Sequence, residues 1–463
     1  MKLAVLGGGG VRMPGFVRAL LSGGANIFDE ISLFEPDPFR RQTTARLAVE
    51  VATALGHAGV VSVTADHEEA FTDAAFVFSA IRVGGDQGRV IDEEVALTRG
   101  LVGQETTGPG GAAMALRTIP VVLSYCESLA RCSPNAVFIN FTNPAGMITQ
   151  ALSSHGATRA VGVCDTPGGA LERLGAFLGA KPETQSFLYA GLNHLGWISS
   201  FCVEGTELIG ELTGRYEELQ RFDHRFAAFD PDVVRRVGAI PTEYVYYYYD
   251  AQRYVDGVAR AGSSRGQDVL RLNEELLAGI GRSFEKGDVE DAWSTYSLLM
   301  GVRHDTYMRT DTEGDNNQAL ARSRRAADGP TPLGEAKMGG YEGVALRVIA
   351  GLTSRAPAEV IVNTRNGSAV PFLEADDVVE VPTFVDGGGL RPLAAGELPR
   401  SARGLVTQMK EYERTLVEAA VTGDAALAEF ALSLNPLVPG ISVARDLLSE
   451  YRKLHGKQLA YLH

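Results

Sequence analysis

MKLAVLGGGGVRMPGFVRALLSG, residues 1–23, runs from an apolar stretch into four glycines and out again into a second apolar pattern, and that junction decides the fold. Residues 1–8 read as a buried strand, and 11–23 carry apolar positions at helical spacing. A strand, a glycine turn and a helix start open a dinucleotide-binding unit, because backbone N–H groups at the helix N-terminus receive a pyrophosphate. Gly8 and Gly10 give G-x-G, while the third glycine position falls on Met13, so the glycine pattern alone is weak. FEPDP at 34–38 strengthens it: Glu35 and Asp37 close the next apparent strand, where an acid holds the ribose hydroxyls of NAD and repels the 2′-phosphate of NADP. Gly7, Gly8, Gly9, Gly10, Glu35 and Asp37 are therefore the expected cofactor-binding residues.

Outward from this start, strand-like and helical segments alternate over about the first 170 residues, through VVSVTAD, DAAFVFSAI, AVFINFTNP and ATRAVGVCDTP. Such alternation predicts an α/β fold, an N-terminal Rossmann-like doubly wound parallel sheet with ligands at the carboxyl ends of its strands. Beyond residue 195 the pattern becomes helix-rich, with strand-like pieces at VALRVIAG, EVIVNT and DVVEVPTFV. The expected division is residues 1–195 for the NAD-binding domain and 196–463 for a helix-rich α+β C-terminal domain carrying substrate contacts, catalysis and oligomerisation. Residues 311–336 read as the most loop-like segment.

A chain of 463 residues, 45% hydrophobic and 22% charged, suits a globular protein of two or three domains. No apolar run reaches the ~18 to 20 residues that span a bilayer, and the N-terminal apolar run passes straight into glycines without a cleavage pattern, so a cytoplasmic protein is expected. Cys126, Cys132, Cys164 and Cys202 have no CxxC spacing and are expected as reduced thiols. A net charge of -14 argues against nucleic acid, whose binders need a broad basic surface; a small anion remains possible where arginines gather.

VCDTP at 163–167 and GLNHLGW at 191–197 raise the question of metal. Cys164 alone reads more readily as a small buried hydrophobe, and His194 alone as a hydrogen-bonded core histidine. Together they each close an apparent strand on the edge where the nucleotide should lie, and a thiolate with an imidazole suits a borderline transition metal. Two protein ligands leave a shell for substrate oxygens or water to complete, which is the form of a catalytic site.

GGGG, VGGDQGR at 83–89, VGQETTGPGG at 102–111, FTNPAG at 141–146, VCDTP and GLNHLGW, in this order and spacing, resemble the NAD- and metal-dependent glycosidases of glycoside hydrolase family 4, a known exception to paired-carboxylate glycosidases. The resemblance is strong through residue 197 and thins to IPTEYVYYYY and SSRGQDV beyond it. It implies oxidation of the sugar at C3 by bound NAD, polarisation of the C2 and C3 oxygens by a divalent ion, usually Mn2+, and removal of the C2 proton by a tyrosinate. Elimination of the aglycone, water addition and re-reduction complete the cycle. Carried onto this chain, it makes Cys164 and His194 the metal ligands and Tyr244 the base, with Asp165, the residue after the metal cysteine, a candidate acid. The tyrosines at 246–249 make a core role for Tyr244 the competing reading. Arg89, Glu105, Asn140, Asn143, Asn193 and Arg265 become substrate-binding residues, Arg89 as a phosphate contact and Arg265 at the substrate end of the pocket; Asn140 and Asn143 also suit turn formation before Pro144. The implied partner is a small glycoside phosphorylated at C6, β-linked by the closer likeness of GGDQGR, with the α-linked substrate that Asp165 suggests as the alternative, in a homodimer or homotetramer. Val11, Arg12 and Met13 depart from the family's small polar residues at that position, so Arg12 would either add to an anion site or mark a phosphate-independent enzyme.

Two other readings share the first sheet. An NAD-dependent 2-hydroxy acid dehydrogenase would release reduced nicotinamide and has no need of Cys164 with His194; a non-catalytic NAD sensor would bind the cofactor without turnover.

Overall fold

The structure, a computed structural model, describes residues 1–22, 27–156, 158–313, 318–334 and 340–463. Six parallel strands come first: β1 (Lys2–Leu6), β2 (Glu30–Phe34), β3 (Val61–Thr64), β4 (Ala74–Ser79), β5 (Val137–Asn140) and β6 (Arg159–Gly162). They lie in the order β3-β2-β1-β4-β5-β6, the doubly wound arrangement whose switch point falls between β1 and β4. Alternation within β1 explains why both faces are covered. Leu3 and Val5 face one core, Ala4 and Leu6 the other, and all four are fully buried.

Beyond β6 the sheet continues with the later strands: β7 (Gln185–Leu192), β8 (Leu195–Val203), β9 (Thr206–Glu207), β10 (Ile240–Pro241), β11 (Ala358–Arg365), β12 (Val378–Asp386) and β13 (Gly389–Pro392). β11 runs antiparallel to β6 and pairs with it at Asn363 and Gly162. β12, β7, β8 and β10 then follow in that order. Gly162 is what permits this seam, since a Cβ there would stand 2.8 Å from the Asn363 Cβ and run into the Thr149 side chain. The expected division after residue 195 therefore falls within β8, and one sheet crosses it.

The helices that bear on the site are α1 (Met13–Ser22), α2 (Gly85–Leu97), α3 (Pro109–Cys132), α4 (Ala145–His155), α5 (Thr166–Leu178), α6 (Arg265–Glu285), α7 (Val289–Asp305), α8 (Arg309–Glu313), α9 (Gln318–Asp328), α10 (Gly340–Leu352) and α11 (Ile441–His455). α3 and α4 cover one face of the parallel strands and α1 and α10 the other. VALRVIAG, expected as a strand, lies in α10: Tyr341, Val344, Ala345, Val348 and Ile349 are its buried side, at helical spacing that only a window reaching back to Tyr341 shows. The loop expected over 311–336 is largely helical, in α8 and α9, with residues 314–317, 335 and 336 outside the described residues. All four cysteines are free thiols, and no helix among the described residues is long and apolar enough to cross a membrane.

A buried ionic cluster fixes α2, the helix that carries Arg89. Asp92 accepts from Arg117 Nη1 at 2.6 Å and Nη2 at 2.7 Å, and its Oδ1 lies 2.9 Å from His455 Nε2 at the end of α11. Arg117 also packs against Gly84 and Gly88 at the start of α2. Removing one member of such a cluster leaves the rest desolvated and unpaired. Asp92→Ala is expected to cost about 3–5 kcal/mol of unfolding free energy by urea titration, and a loss within experimental error of zero would contradict this role.

Candidate active site

A cavity of about 620 Å³ opens beyond the carboxyl ends of the parallel strands, under α6 and the end of α7. Cys164 and Asp165 line it where β6 gives way to α5. His194 enters from the two-residue turn that joins β7 to β8, with φ of 63°, a left-handed conformation unusual for a residue other than glycine. Such an outlier persists only where neighbours over-determine it. Here Asn193 donates from Nδ2 to Glu380 Oε1 at 3.0 Å, and Thr106 Oγ1 lies 2.8 Å from His194 Nδ1. Tyr244 lies flat on the imidazole, ring centroids 3.8 Å apart and planes within 6°. Its hydroxyl accepts a bond from Tyr307 at 2.9 Å.

Electrostatics decide what these groups can do. Burial lowers the His194 imidazole to about 4, so the ring is neutral, with Nδ1 committed to Thr106 and the other nitrogen left to a ligand. Burial, with Glu380 and Asp165 nearby, holds Cys164 as a thiol well above its ordinary range, a state an incoming cation would reverse. Burial also raises the Tyr244 phenol, against the bond from Tyr307. Among the described residues no three of the His, Cys, Asp and Glu side chains group as a metal site, so Cys164 and His194 would hold an ion with oxygens of substrate or water.

The arginines divide into two sets. Arg89 gives Nε to Glu93 at 2.8 Å and Nη1 to Glu105 at 2.9 Å, and Arg82 reaches Glu105 at 2.5 Å. Burial alone would raise Glu105, but Arg82 and Arg89 bring it down to about 2. Glu93 also accepts from the Gly266 amide at 2.6 Å, which ties α2 to the start of α6 and places Arg265. Arg265 and Arg303 differ, since their bonds go to neutral acceptors: Thr306 Oγ1 at 2.8 Å and the Arg303 carbonyl at 2.7 Å for Arg265, Asn273 Oδ1 at 3.0 Å for Arg303. Burial, with Arg12, Arg265 and Arg89 facing it, lowers Arg303 to about 9. Arg12 reaches the same cavity over the rings of Phe141 and Tyr341, at 5.6 and 5.2 Å. Among the described residues neither Arg265 nor Arg303 is ion-paired with a carboxylate, although Asp311 lines the same cavity, and together with Arg12 they give this part of it the positive charge that an anion needs.

Of the residues expected from sequence, Arg89, Glu105, Asn143, Cys164, Asp165, His194, Tyr244 and Arg265 line the one cavity. Asn140 does not. Its amide is buried at the end of β5, donating to the Thr142 and Ala145 carbonyls and accepting from the Thr142 amide, so the turn consumes it. Asn193 is likewise spent on Glu380, where it braces the His194 turn. Glu93, Arg303, His304, Tyr307 and Asp311 line the cavity without having been singled out. Arg303 and His304 sit at the end of α7, Tyr307 in the turn after it and Asp311 in α8, in charged sequence that carries none of the motifs quoted above.

The glycine loop occupies the neighbouring strand ends. Gly7 has φ of 83° with no room for a Cβ against the Ala80 carbonyl, 2.8 Å away, and a Cβ at Gly8 or Gly9 would strike Leu33 or Glu35. Glu35 accepts from the amides of Gly9 and Asp37, each at 3.0 Å, and Asp37 caps the following helical turn through the Arg40 amide at 2.8 Å. Both acids thus shape the loop; a ribose hydroxyl would share Glu35 with those amides. The strand, close-packed glycines and helix start fit a dinucleotide, and the thiol with a neutral imidazole fits a divalent transition ion.

Asn140→Ala should lower stability by about 1–3 kcal/mol, because it orphans buried backbone groups of the turn. Unchanged unfolding with a raised KM would return Asn140 to the substrate.

Known proteins agree with this geometry. A model of the family 4 glycosyl hydrolases matches residues 2–180, and a model of the family 4 glycosyl hydrolase C-terminal domain matches residues 189–438. A probable 6-phospho-β-glucosidase of Bacillus subtilis is 30% identical, over 99% of this chain and 97% of its own. A 6-phospho-α-glucosidase of Lacticaseibacillus paracasei is 26% identical, over 97% of this chain and 96% of its own. The 6-phospho-β-glucosidase of Thermotoga maritima, solved with manganese, NAD+ and glucose-6-phosphate, superposes over 98% of both chains with a TM-score of 0.78 at 26% identity. The order of the parallel strands, the cavity at their carboxyl ends and these matches lead to one assignment: the chain belongs to family 4 of the glycosyl hydrolases.

Proposed function

We propose that this glycosidase cleaves 6-phospho-β-glucosides with NAD and a divalent ion, manganese being the first choice. The observation that carries the reading is the stack of Tyr244 on His194 in the cavity that also holds Cys164, Arg265 and Arg303. It supports a proton-abstracting role for Tyr244 beside His194, a candidate ligand of the ion. When bound, NAD would supply reversible oxidation at C3, and the ion would polarise the C2 and C3 oxygens as a Lewis acid.

The chain's own groups do the rest. Arg265 and Arg303 receive the phosphate dianion, whose charge offsets their burial. Glu105, held ionised by Arg82 and Arg89, faces the same space as a fixed acceptor for sugar hydroxyls. Tyr244 takes the C2 proton, and Asp165 lies in the same cavity to serve the departing aglycone. The relative from T. maritima, with glucose-6-phosphate, NAD+ and manganese in one structure, supports the set of ligands.

A second reading, cleavage of 6-phospho-α-glucosides, is favoured by one observation, the acid at position 165 directly after the metal cysteine, lining the cavity. The likeness of residues 83–89 and the more similar of the two curated relatives named above favour the β-anomer. Nitrophenyl α- and β-glucosides, each with and without a 6-phosphate, assayed with NAD and manganese, separate these outcomes. Turnover of the phosphorylated β-glucoside, abolished by chelator and restored by manganese, is expected. Full activity in protein stripped of NAD and metal would overturn the mechanism.

Arg265→Ala removes a cation without orphaning a carboxylate. It should raise KM for the phosphorylated glycoside by roughly ten- to a hundredfold, the scale of one hydrogen bond to a charged group, while an unphosphorylated glycoside changes far less. Equal losses for both substrates would remove Arg265 from the phosphate site.

A further inference from the structure

Tyr307 belongs to none of the motifs that carry the family likeness, yet it makes the one hydrogen bond to the Tyr244 hydroxyl found among the described residues. We propose that Tyr307 is a positioning residue for proton abstraction: its hydroxyl donates to Tyr244 Oη and holds that oxygen as an acceptor facing the cavity. The inference rests on the function proposed above and adds to it a residue supplied by the turn between α7 and α8.

Three features of that turn point the same way. Tyr307 is anchored at its backbone, with its amide bonded to the His304 carbonyl at 3.1 Å and its own carbonyl 2.9 Å from His224 Nε2. Its neighbours are fixed as well: Thr306 accepts from Arg265 at 2.8 Å, and Met308 takes a left-handed φ of 61°. The tyrosine also has a single role. The hydrogen bond runs from its hydroxyl to the Tyr244 oxygen, so toward Tyr244 it acts as a donor. Tyr247, the other nearby phenol, gives its hydroxyl to Asp311 at 3.0 Å and does not compete.

The stack on His194 sets the plane of the Tyr244 ring, and the bond from Tyr307 sets the direction left open at its oxygen. A donor already in place occupies one lone pair, directs the remaining acceptor capacity into the cavity and costs no rearrangement at the moment of reaction. In the step served, Tyr244 reacts as the phenolate, its phenol proton released to solvent when the divalent cation binds beside it; the C2–H bond then breaks and an O–H bond forms at Tyr244. The electron pair left at C2 forms the C1–C2 double bond and expels the C1 substituent. The carbonyl at C3 that acidifies this proton comes from the NAD-dependent oxidation already invoked, and Tyr307 keeps its own proton throughout.

Tyr307→Phe removes a single oxygen and tests the proposal in the full chain with NAD, manganese and nitrophenyl β-glucoside 6-phosphate. Expected are a kcat lower by on the order of ten- to a hundredfold, the scale of a misplaced catalytic group, and a KM within about threefold. The primary isotope effect for substrate deuterated at C2 should rise, while that for substrate deuterated at C3 should not. A structural role would lower the amount of active protein and leave both isotope effects as they were. Because isotope effects are read on turnover by the folded fraction, poor folding of the variant does not obscure them. An unchanged kcat, or a lower kcat with an unchanged C2 isotope effect, overturns the proposal. Retention of the C2 deuterium in product formed by the unaltered chain would instead overturn the role of Tyr244, and with it the role of Tyr307. Washout of that label by the unaltered chain, with no rise in the variant's C2 isotope effect, rejects Tyr307 alone.

Discussion

The face-to-face contact of His194 and Tyr244 is the constraint around which the rest of the site is arranged. It joins a turn of the sheet to a segment more than forty residues downstream, and it puts a phenol beside a neutral imidazole whose Nε2 has no hydrogen-bond partner among the described residues. For the two rings to meet, β7 and β8 must extend the parallel sheet past β6, which requires β11 and β12 to fill the space between them. The close approach at Gly162 is where that extension begins, two residues before Cys164. The geometry of the sheet and the placement of the candidate metal ligands are thus one problem.

Charge imposes the second condition. Carboxylates compensate Arg82 and Arg89, but Arg265 and Arg303 are half-buried, with their hydrogen bonds on neutral acceptors and other guanidinium groups facing them. On the function proposed above, an arrangement that is unfavourable by itself would become favourable when a dianion enters, so that stability is given up where binding needs it. The clusters that carry no chemistry are complete instead: Asp92, Arg117 and His455 satisfy one another, and Asn140 is bonded throughout its turn.

Much of this was legible from residues alone, for physical reasons that differ by element. The first strand, its glycines and helix are visible because the period of the apolar residues changes across them, and Cys164, His194 and Tyr244 sit in short motifs of fixed order. The single continuous sheet was not legible, because pairing of β11 with β6 joins residues about two hundred positions apart and leaves no local pattern. α10 was mistaken for a strand because a short apolar window does not separate the two periods. Asn140 carried the right residue type for either role, and only its bonds show that the turn uses it. Arg303 at the end of α7 and Tyr307 in the turn after it lie in charged sequence indistinguishable from a solvated face until the fold turns it inward.

The central claim is that Tyr244, held on His194, removes the proton at C2 and so makes cleavage an elimination rather than a displacement at the anomeric carbon. Hydrolysis of a 6-phospho-β-glucoside in deuterated water, with the product sugar analysed at C2 and corrected for its spontaneous exchange, tests it most directly. The account predicts solvent deuterium at C2 from the unaltered enzyme and the joint loss of turnover and exchange in Tyr244→Phe. A product that carries no solvent deuterium at C2, or exchange undiminished in Tyr244→Phe, would contradict it.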